Sequence, residues 1–332
     1  MITRIYILLL FLFCSVFAFS QDATALHESG RSFMRQGDYL NASITLEKAL
    51  KADPENLEIG KDLAVNYLIL KKNNKALETI LPFIEKGAAD DQAYQIAGNI
   101  YNALDQRKES ESIYKKGIKK YPASGALYNE YGNMLLSRQD MNAIKIWEKG
   151  IENDPQFAGN YYNAAKYYNL NSNYLWASIY SEIFLLLESG TSRSPEMKNI
   201  LFENYKKLIT DDDLISNVKG KNLFEKTYLQ IIAREKPVLS IGINTETLTM
   251  FRTRFILDWN SLNKKIPFNL FEIQTQLLQE GMFDSYNQSL FGVVQNLAFY
   301  QNWINVHADE YASFSNFMKD RTFKFLKGQY YH

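Results

Sequence analysis

The chain has 332 residues, 46% hydrophobic and 22% charged, and its 37 basic side chains are matched by 37 acidic ones. That length and apolar content can bury a sizeable core, which excludes compositional disorder. The balanced charge, with no basic face beyond the short Lys115–Lys120 run at a helix end, lacks the electrostatic footprint of a nucleic-acid binder.

Residues 1–20 form the first predicted element. Arg4 precedes the apolar run Ile5–Phe19, and Ala18-Phe19-Ser20 supplies small residues for cleavage before Gln21. This predicts a secretory signal peptide. As a membrane span the run would reach about 22 Å, short of a hydrocarbon core of about 30 Å, so no integral span is expected once the signal is removed. Cys14 is the only cysteine and follows Phe11-Leu12-Phe13, where a lipoprotein signal needs small residues. The exported chain would then fold without disulfides or thiolate metal sites.

From residue 23 the sequence repeats. Small residues fall at Gly30, Ala64, Gly98, Gly132 and Ala165, and a second series at Ala42, Ala76, Ser110, Ala143 and Ala177. The spacings are 34 with one step of 33 in each series, which places a one-residue deletion between Gly132 and Ala143. Pro54, Pro122 and Pro155 close three of the units and show the same deletion, while Ala88 stands where the second unit would have proline. Within each unit apolar residues recur at helical spacing, as in Leu26 and Phe33 and then Tyr39, Leu46 and Leu50. Each unit therefore predicts two amphipathic helices joined by a tight turn at Gly37-Asp38 and its equivalents. The small residues mark close helix crossings and the prolines end the second helices.

Leu26, Gly30, Phe33, Tyr39, Ala42, Leu46, Ala49 and Pro54 in the first unit, and Tyr94, Gly98, Tyr101, Ser110, Tyr114, Gly117 and Pro122 in the third, resemble the tetratricopeptide repeat (TPR) family. The resemblance covers five units, 23–56, 57–90, 91–124, 125–157 and 158–191, about half the chain. It implies an all-α, right-handed TPR α-solenoid with a concave groove lined by the first helix of each unit. Carried onto this sequence, the groove positions are His27 and Arg31, Lys61, Gln95, Asn99 and Asn102, Asn129 and Asn133, and Tyr162, Lys166 and Asn169. Asn99 and Asn133 occupy the same position of successive units. A carboxamide is both donor and acceptor and can hold a peptide unit without reading its side chain. With Arg31, Lys61 and Lys166 nearby the pattern loosely resembles the carboxylate clamp of peptide-binding TPR domains, although Asp62 and Val65 depart from it.

After residue 191 helical patterns recur at about 196–209, 222–235, 246–263, 268–280, 283–305 and 308–326, with Ser194-Pro195-Glu196 as a helix start. Val238–Ile243 after Pro237 predicts a strand or coil. Residues 251–332 hold 18 aromatics, which predict either a bulky core, with Phe251, Phe255 and Trp259 facing inward, or an exposed adhesive face. Gln279–Phe291 echoes Arg35–Leu46, with a glycine turn, an aromatic two residues later and a second helix, so 192–332 can continue or cap the array.

Catalytic and metal-binding patterns are missing from the sequence. The histidines are only His27, His307 and His332, and no phosphate loop, nucleophile elbow or dinucleotide turn occurs. Asp211-Asp212-Asp213 lacks the alternate spacing and glycine of a calcium loop and predicts an acidic helix start before Leu214, and Arg254 and Asp258 predict an i,i+4 pair. The expectation is an exported, periplasmic or secreted protein of a Gram-negative bacterium with no catalysis and no cofactor. Its partner would be another protein or a peptide, as an adaptor or assembly scaffold for an envelope complex. Two other arrangements fit the same sequence: a structural oligomer whose groove is filled by its own C-terminal helices, and a carbohydrate-binding or enzymatic module in 192–332.

Overall fold

The computed structural model describes residues 22–213, 221–262, 266–319 and 321–332; the predicted signal peptide and Leu214 lie outside them. The fold is an all-α solenoid of helix-turn-helix repeats, with no strand among the described residues. Its contacts group into two units, Met1–Ala143 and Ile144–His332, a division that falls inside the fourth repeat.

In the first unit the helices are α1 (22–35), α2 (Tyr39–Ala52), α3 (Leu57–Ile69), α4 (Asn73–Glu85), α5 (Asp91–Ala103), α6 (Arg107–Lys120) and α7 (Gly125–Ser137). First helices start at side-chain caps: Asn56 accepts from Ile59 N, Asp90 from Ala93 N and Ser124 from Leu127 N. Both small-residue series are packing positions, since Ala64, Ala42, Ala76, Ser110 and Ala143 are fully buried. Around them sit Leu46, Ile59, Ile80 and Ile100, each contributing about 1.5–3 kcal/mol by burial.

Every hairpin turn has one left-handed residue, Gly37, Lys71, Asp105 and Gln139, with φ between 54° and 78°. The N–H of the next residue returns to a carbonyl five residues earlier, as in Asp38 to Phe33 at 2.9 Å and Lys72 to Tyr67 at 2.8 Å, which closes the preceding helix. The deletion is absorbed just after the fourth turn. Ala42, Ala76 and Ser110 donate to carbonyls four residues back, whereas Ala143 N donates to Asp140 O, three back, a tighter first turn that consumes one residue fewer.

The second unit contains most of α8 (Ala143–Asn153), then α9 (Ala158–Leu170), α10 (Tyr174–Leu187), α11 (Ser194–Thr210), α12 (Leu223–Glu235), α13 (Thr245–Leu262), α14 (Asn269–Gln279), α15 (Phe283–Asn287), α16 (Leu297–Val306) and α17 (Ala308–Lys319). Its core forms around α10, buried from Leu175 to Leu186. One acid lies in that apolar helix, Glu182, and it accepts from Arg252, from Gln274 Nε2 at 2.6 Å and from Tyr286 Oη at 2.8 Å. Phe251 is fully buried, and Phe255 and Trp259 are buried in an aromatic cluster with Phe224, Tyr228 and Phe271, so most of the C-terminal aromatics form a bulky core.

Several sequence expectations need correction here. Lys236–Ile241 is a 3₁₀ helix, where strand or coil was expected for Val238–Ile243. The helix expected over 283–305 is interrupted: α15 runs into a π-helical turn, Gln288–Gly292, and then Val293–Gln295, before Asn296 goes extended and caps α16 by accepting from Ala298 N and Phe299 N. The helix expected to reach 326 has ended by Lys319. Beyond it Phe323 and Phe325 are buried, and their backbone bonds the Gln156 side chain, Phe323 O accepting at 2.9 Å and Phe325 N donating at 2.5 Å. Ser194 does not cap α11; its hydroxyl accepts from Thr191 N and donates to Glu188 O. Asp258 pairs with Arg234 from α12 instead of Arg254, which lies 3.8 Å from Glu235. The acidic helix start expected at Asp211–Asp213 needs no such correction: Asp211 ends α11 with an extended backbone, residues 212 and 213 are helical again, and Asp212 pairs with Lys236. The 279–291 echo does form a hairpin turn of the repeat type: Gly281 has φ 68°, and Met282 N bonds Leu277 O at 2.8 Å, as Asn173 N bonds Tyr168 O at 2.9 Å beside left-handed Ser172.

Candidate functional site

In the first unit the expected groove residues sit on first helices α1, α3, α5 and α7. Gly98 sets the geometry on α5. A Cβ there would stand 2.5–2.8 Å from three atoms of the Tyr114 ring, so only glycine admits this ring so close to the helix. The ring is fully buried and stacks on Tyr131 with centroids 5.7 Å apart. Its hydroxyl then donates to Asn99 Oδ1 at 2.6 Å. Burial pushes the Tyr114 phenol far above its ordinary value, which keeps it protonated as a donor. The Asn99 carboxamide is thereby held by its oxygen, and its amide N–H groups remain available on a half-buried side chain.

Asn133 occupies the same repeat position on α7 and is also half-buried. Gln95 and Asn129 lie one turn earlier on the same two helices, and Asn129 Nδ2 donates to Glu130 at 3.2 Å. The other expected residues of this unit link neighbouring repeats. Asn102 Oδ1 accepts from Arg138 at 2.6 Å. Lys61 is only 4% exposed, with Nζ 2.6 Å from both Asp90 and Glu58, so it is an internal ion pair and not an open groove cation. Burial alone would lower its pKa, but the hydrogen bonds and charges of Asp90 and Glu58 outweigh that and raise it. Arg31 Nε stands 3.3 Å from Asp62 Oδ2, which also bonds His27 Nε2 at 2.7 Å. The residue that departs from the clamp pattern therefore supplies a carboxylate to the cations that would receive one.

In the second unit Tyr162, Lys166 and Asn169 on α9 meet α11. Tyr162 and Lys166 both engage Glu196, the lysine at 2.8 Å, and Asn169 Oδ1 accepts from Asn204 Nδ2 at 2.9 Å. The Lys166 hydrogen bond is the main cause holding Glu196 below the usual carboxylate range, and Glu196 in turn raises Lys166. Sequence reasoning missed the partners Asp62, Asp90, Arg138, Glu196 and Asn204. A signal existed: each lies 29–36 residues after the residue it binds, close to one repeat period.

The family described as tetratricopeptide repeat matches residues 23–56 and 91–123. Among solved structures, the MamA protein aligns at 23% identity over 53% of this chain and 95% of its own, with a TM-score of 0.40. PilF of Pseudomonas aeruginosa aligns at 17% identity over 57% and 86%, with a TM-score of 0.47. PilW, a type IV pilus biogenesis factor, aligns at 20% identity over 57% and 86%, with a TM-score of 0.45. A comparison with curated proteins gives no match.

Proposed function

We propose that this chain, whose residues 23–56 and 91–123 match the tetratricopeptide repeat family, is an exported interaction scaffold that holds a peptide or protein segment against the first-helix face of its repeats. The observation that carries this is the Asn99 carboxamide fixed by Tyr114, with a second carboxamide, Asn133, at the same position of the next repeat. Neighbouring helices pack about 8–10 Å apart and an extended chain advances about 3.3 Å per residue, so each rung would meet roughly every third residue of a ligand. Carboxamides suit its backbone amides whatever its sequence. Gln95 and Asn129 extend the same face, and Arg31 flanks it. The links made by Lys61, Asn102, Tyr162, Lys166 and Asn169 would hold successive first helices in register.

The apolar run Ile5–Phe19 supports export, to the periplasm or beyond, and an envelope protein as partner. No described helix is long and apolar enough to cross a membrane. The repeat-type turn at Gly281 supports reading 192–332 as a continuation of the array. The test is affinity capture from native envelopes with the wild type and with Asn99→Ala/Asn133→Ala. Loss of the captured protein from the double variant is expected, and undiminished capture would sink the proposal.

A further inference from the structure

The geometry points to a second site, in the second unit: a cleft that binds a neutral glycan, formed by the start of α13, the π-helical turn and α16. It has a volume of about 500 Å³, in the range of small-ligand clefts. No lysine or arginine lines it, and its one carboxylate is Glu246. Phosphates, nucleotides and acidic sugars would find no countercharge there. Five carboxamides line it instead, Asn244, Gln288, Gln295, Asn296 and Asn302. Each offers a donor and an acceptor, which matches a hydroxyl that does the same.

The site is built, not merely open. Gln288 is 8% exposed, faces the cleft and makes no side-chain hydrogen bond among the described residues. Its amide is not sealed in the core, so a ligand or water in the cleft can complete it. Gln288 opens the π-helical turn, a distortion frequent at functional sites. A Cβ on Gly292 would come within 2.5 Å of Gln288 Oε1 and 2.7 Å of the Tyr300 ring, so glycine makes the room in which amide and ring meet. Gln295 Oε1 accepts from both Thr245 N and Thr245 Oγ1 at 2.6 Å, leaving its amide N–H groups for a ligand.

The apolar component is a set of rings on α16 and its end. Phe299 is 75% exposed, Tyr300 lines the floor, and Trp303 stacks on His307 at 4.4 Å. His307 Nδ1 donates to Trp303 O at 3.0 Å, which turns Nε2 away from that bond. Helix α16 contains no buried residue although it carries Leu297, Phe299, Tyr300, Trp303, Ile304 and Val306. Ring faces of this kind suit the C–H faces of a pyranose, and the carboxamides suit its edges. Amides from three chain segments converge on one cavity, which fits a compact polyhydroxylated ligand better than an extended peptide. A single carboxylate is too few for the two-carboxylate route of glycoside hydrolysis, and the site is proposed as a binding site.

The test is a neutral oligosaccharide array followed by calorimetry on the full chain, with an array of uncharged peptides as the competing arm. Binding of a neutral oligosaccharide is expected, at least tenfold weaker in Gln288→Ala and in Trp303→Ala and unchanged in Asn99→Ala/Asn133→Ala. The exposed substitution Asn302→Ala, expected to weaken binding about threefold, keeps the test decisive if a buried variant misfolds. Silence of the sugar array, binding of peptides or acidic glycans alone, or sugar binding untouched by the folded cleft variants would overturn the proposal.

Discussion

Replacing Gly98 by alanine adds one methyl group, and the structure fixes where it lands. The new Cβ would lie 2.5, 2.6 and 2.8 Å from Tyr114 Cζ, Cε1 and Cε2, so the ring would have to retreat by roughly 1 Å to reach ordinary contact. The ring has no open direction, being fully buried, stacked on Tyr131 and bonded to Asn99. Overpacking of this kind costs about 1–3 kcal/mol, and loss of the Asn99 hydrogen bond about 1 kcal/mol more. Alanine in a helix recovers about 1 kcal/mol relative to glycine. The net expectation is a destabilisation of about 1–3 kcal/mol, read as a lower midpoint in urea denaturation, with weaker partner capture. Tyr114→Leu in the same chain should relieve most of the clash, so the double variant should be more stable than the sum of the two single changes predicts. A neutral or stabilised Gly98→Ala variant would show helix propensity outweighing the clash and refute the reasoning.

Glu182→Ala leaves the buried Arg252 without its counterion and should cost about 3–5 kcal/mol in thermal or urea denaturation, while Glu182→Leu with Arg252→Met should recover most of it; a single change costing under about 1 kcal/mol would contradict the network. Gln139→Gly should stabilise by about 0.5–1 kcal/mol, because an L-residue in the left-handed region costs about 1–2 kcal/mol and the added freedom of unfolded glycine takes back about 0.4–1; a lowered melting midpoint would show that Gln139 carries no such cost. For Glu196 the folded pKa is depressed by Lys166 and Tyr162, so the pair's stabilisation is present above the ordinary value of 4.5 and is lost as pH falls through the folded value. The wild type should therefore exceed Glu196→Gln by about 0.2–1 kcal/mol at pH 7, with the gap closing below pH 4.5; a gap that persists at pH 3 would exclude ionisation as its source.

How much of this was legible in the sequence follows from what each feature requires. A close helix crossing admits only small side chains, so Gly98, Ala64 and Ala143 announced the packing at a fixed period. The left-handed turn position did not announce itself, because the helix-closing hydrogen bonds impose that conformation on Lys71, Asp105, Gln139 and Ser172 as they do on Gly37 and Gly281. Asn296 breaks a helical pattern by capping, which apolar periodicity cannot register. Phe323 and Phe325, two residues apart, carried an extended spacing that a helical pattern continued from Phe314 overrode. The first-helix position of these residues was readable within one repeat, but the fate of each side chain depended on the next repeat. Lys61 could be placed on the face, yet Asp90 buried it.

That division of labour bears on what the first unit can recognise. Its charged face residues are engaged by the protein itself, Lys61 with Asp90 and Glu58, and His27 and Arg31 with Asp62, so a carboxylate ligand would have to displace an internal acid to reach them. Asn99 is held differently: Tyr114 orients its carboxamide through the oxygen and leaves the amide N–H groups as neutral donors. A segment held there would be gripped through backbone amides, whose hydrogen bonds salt hardly screens, whereas a charge-clamped peptide loses affinity as the Debye length shrinks from about 10 Å at 0.1 M salt to about 3 Å at 1 M. Partner capture should accordingly survive a rise from about 0.1 to 0.5 M salt with less than about a threefold loss. A tenfold loss over that range would return the binding energy to ion pairs and remove the carboxamides as its source.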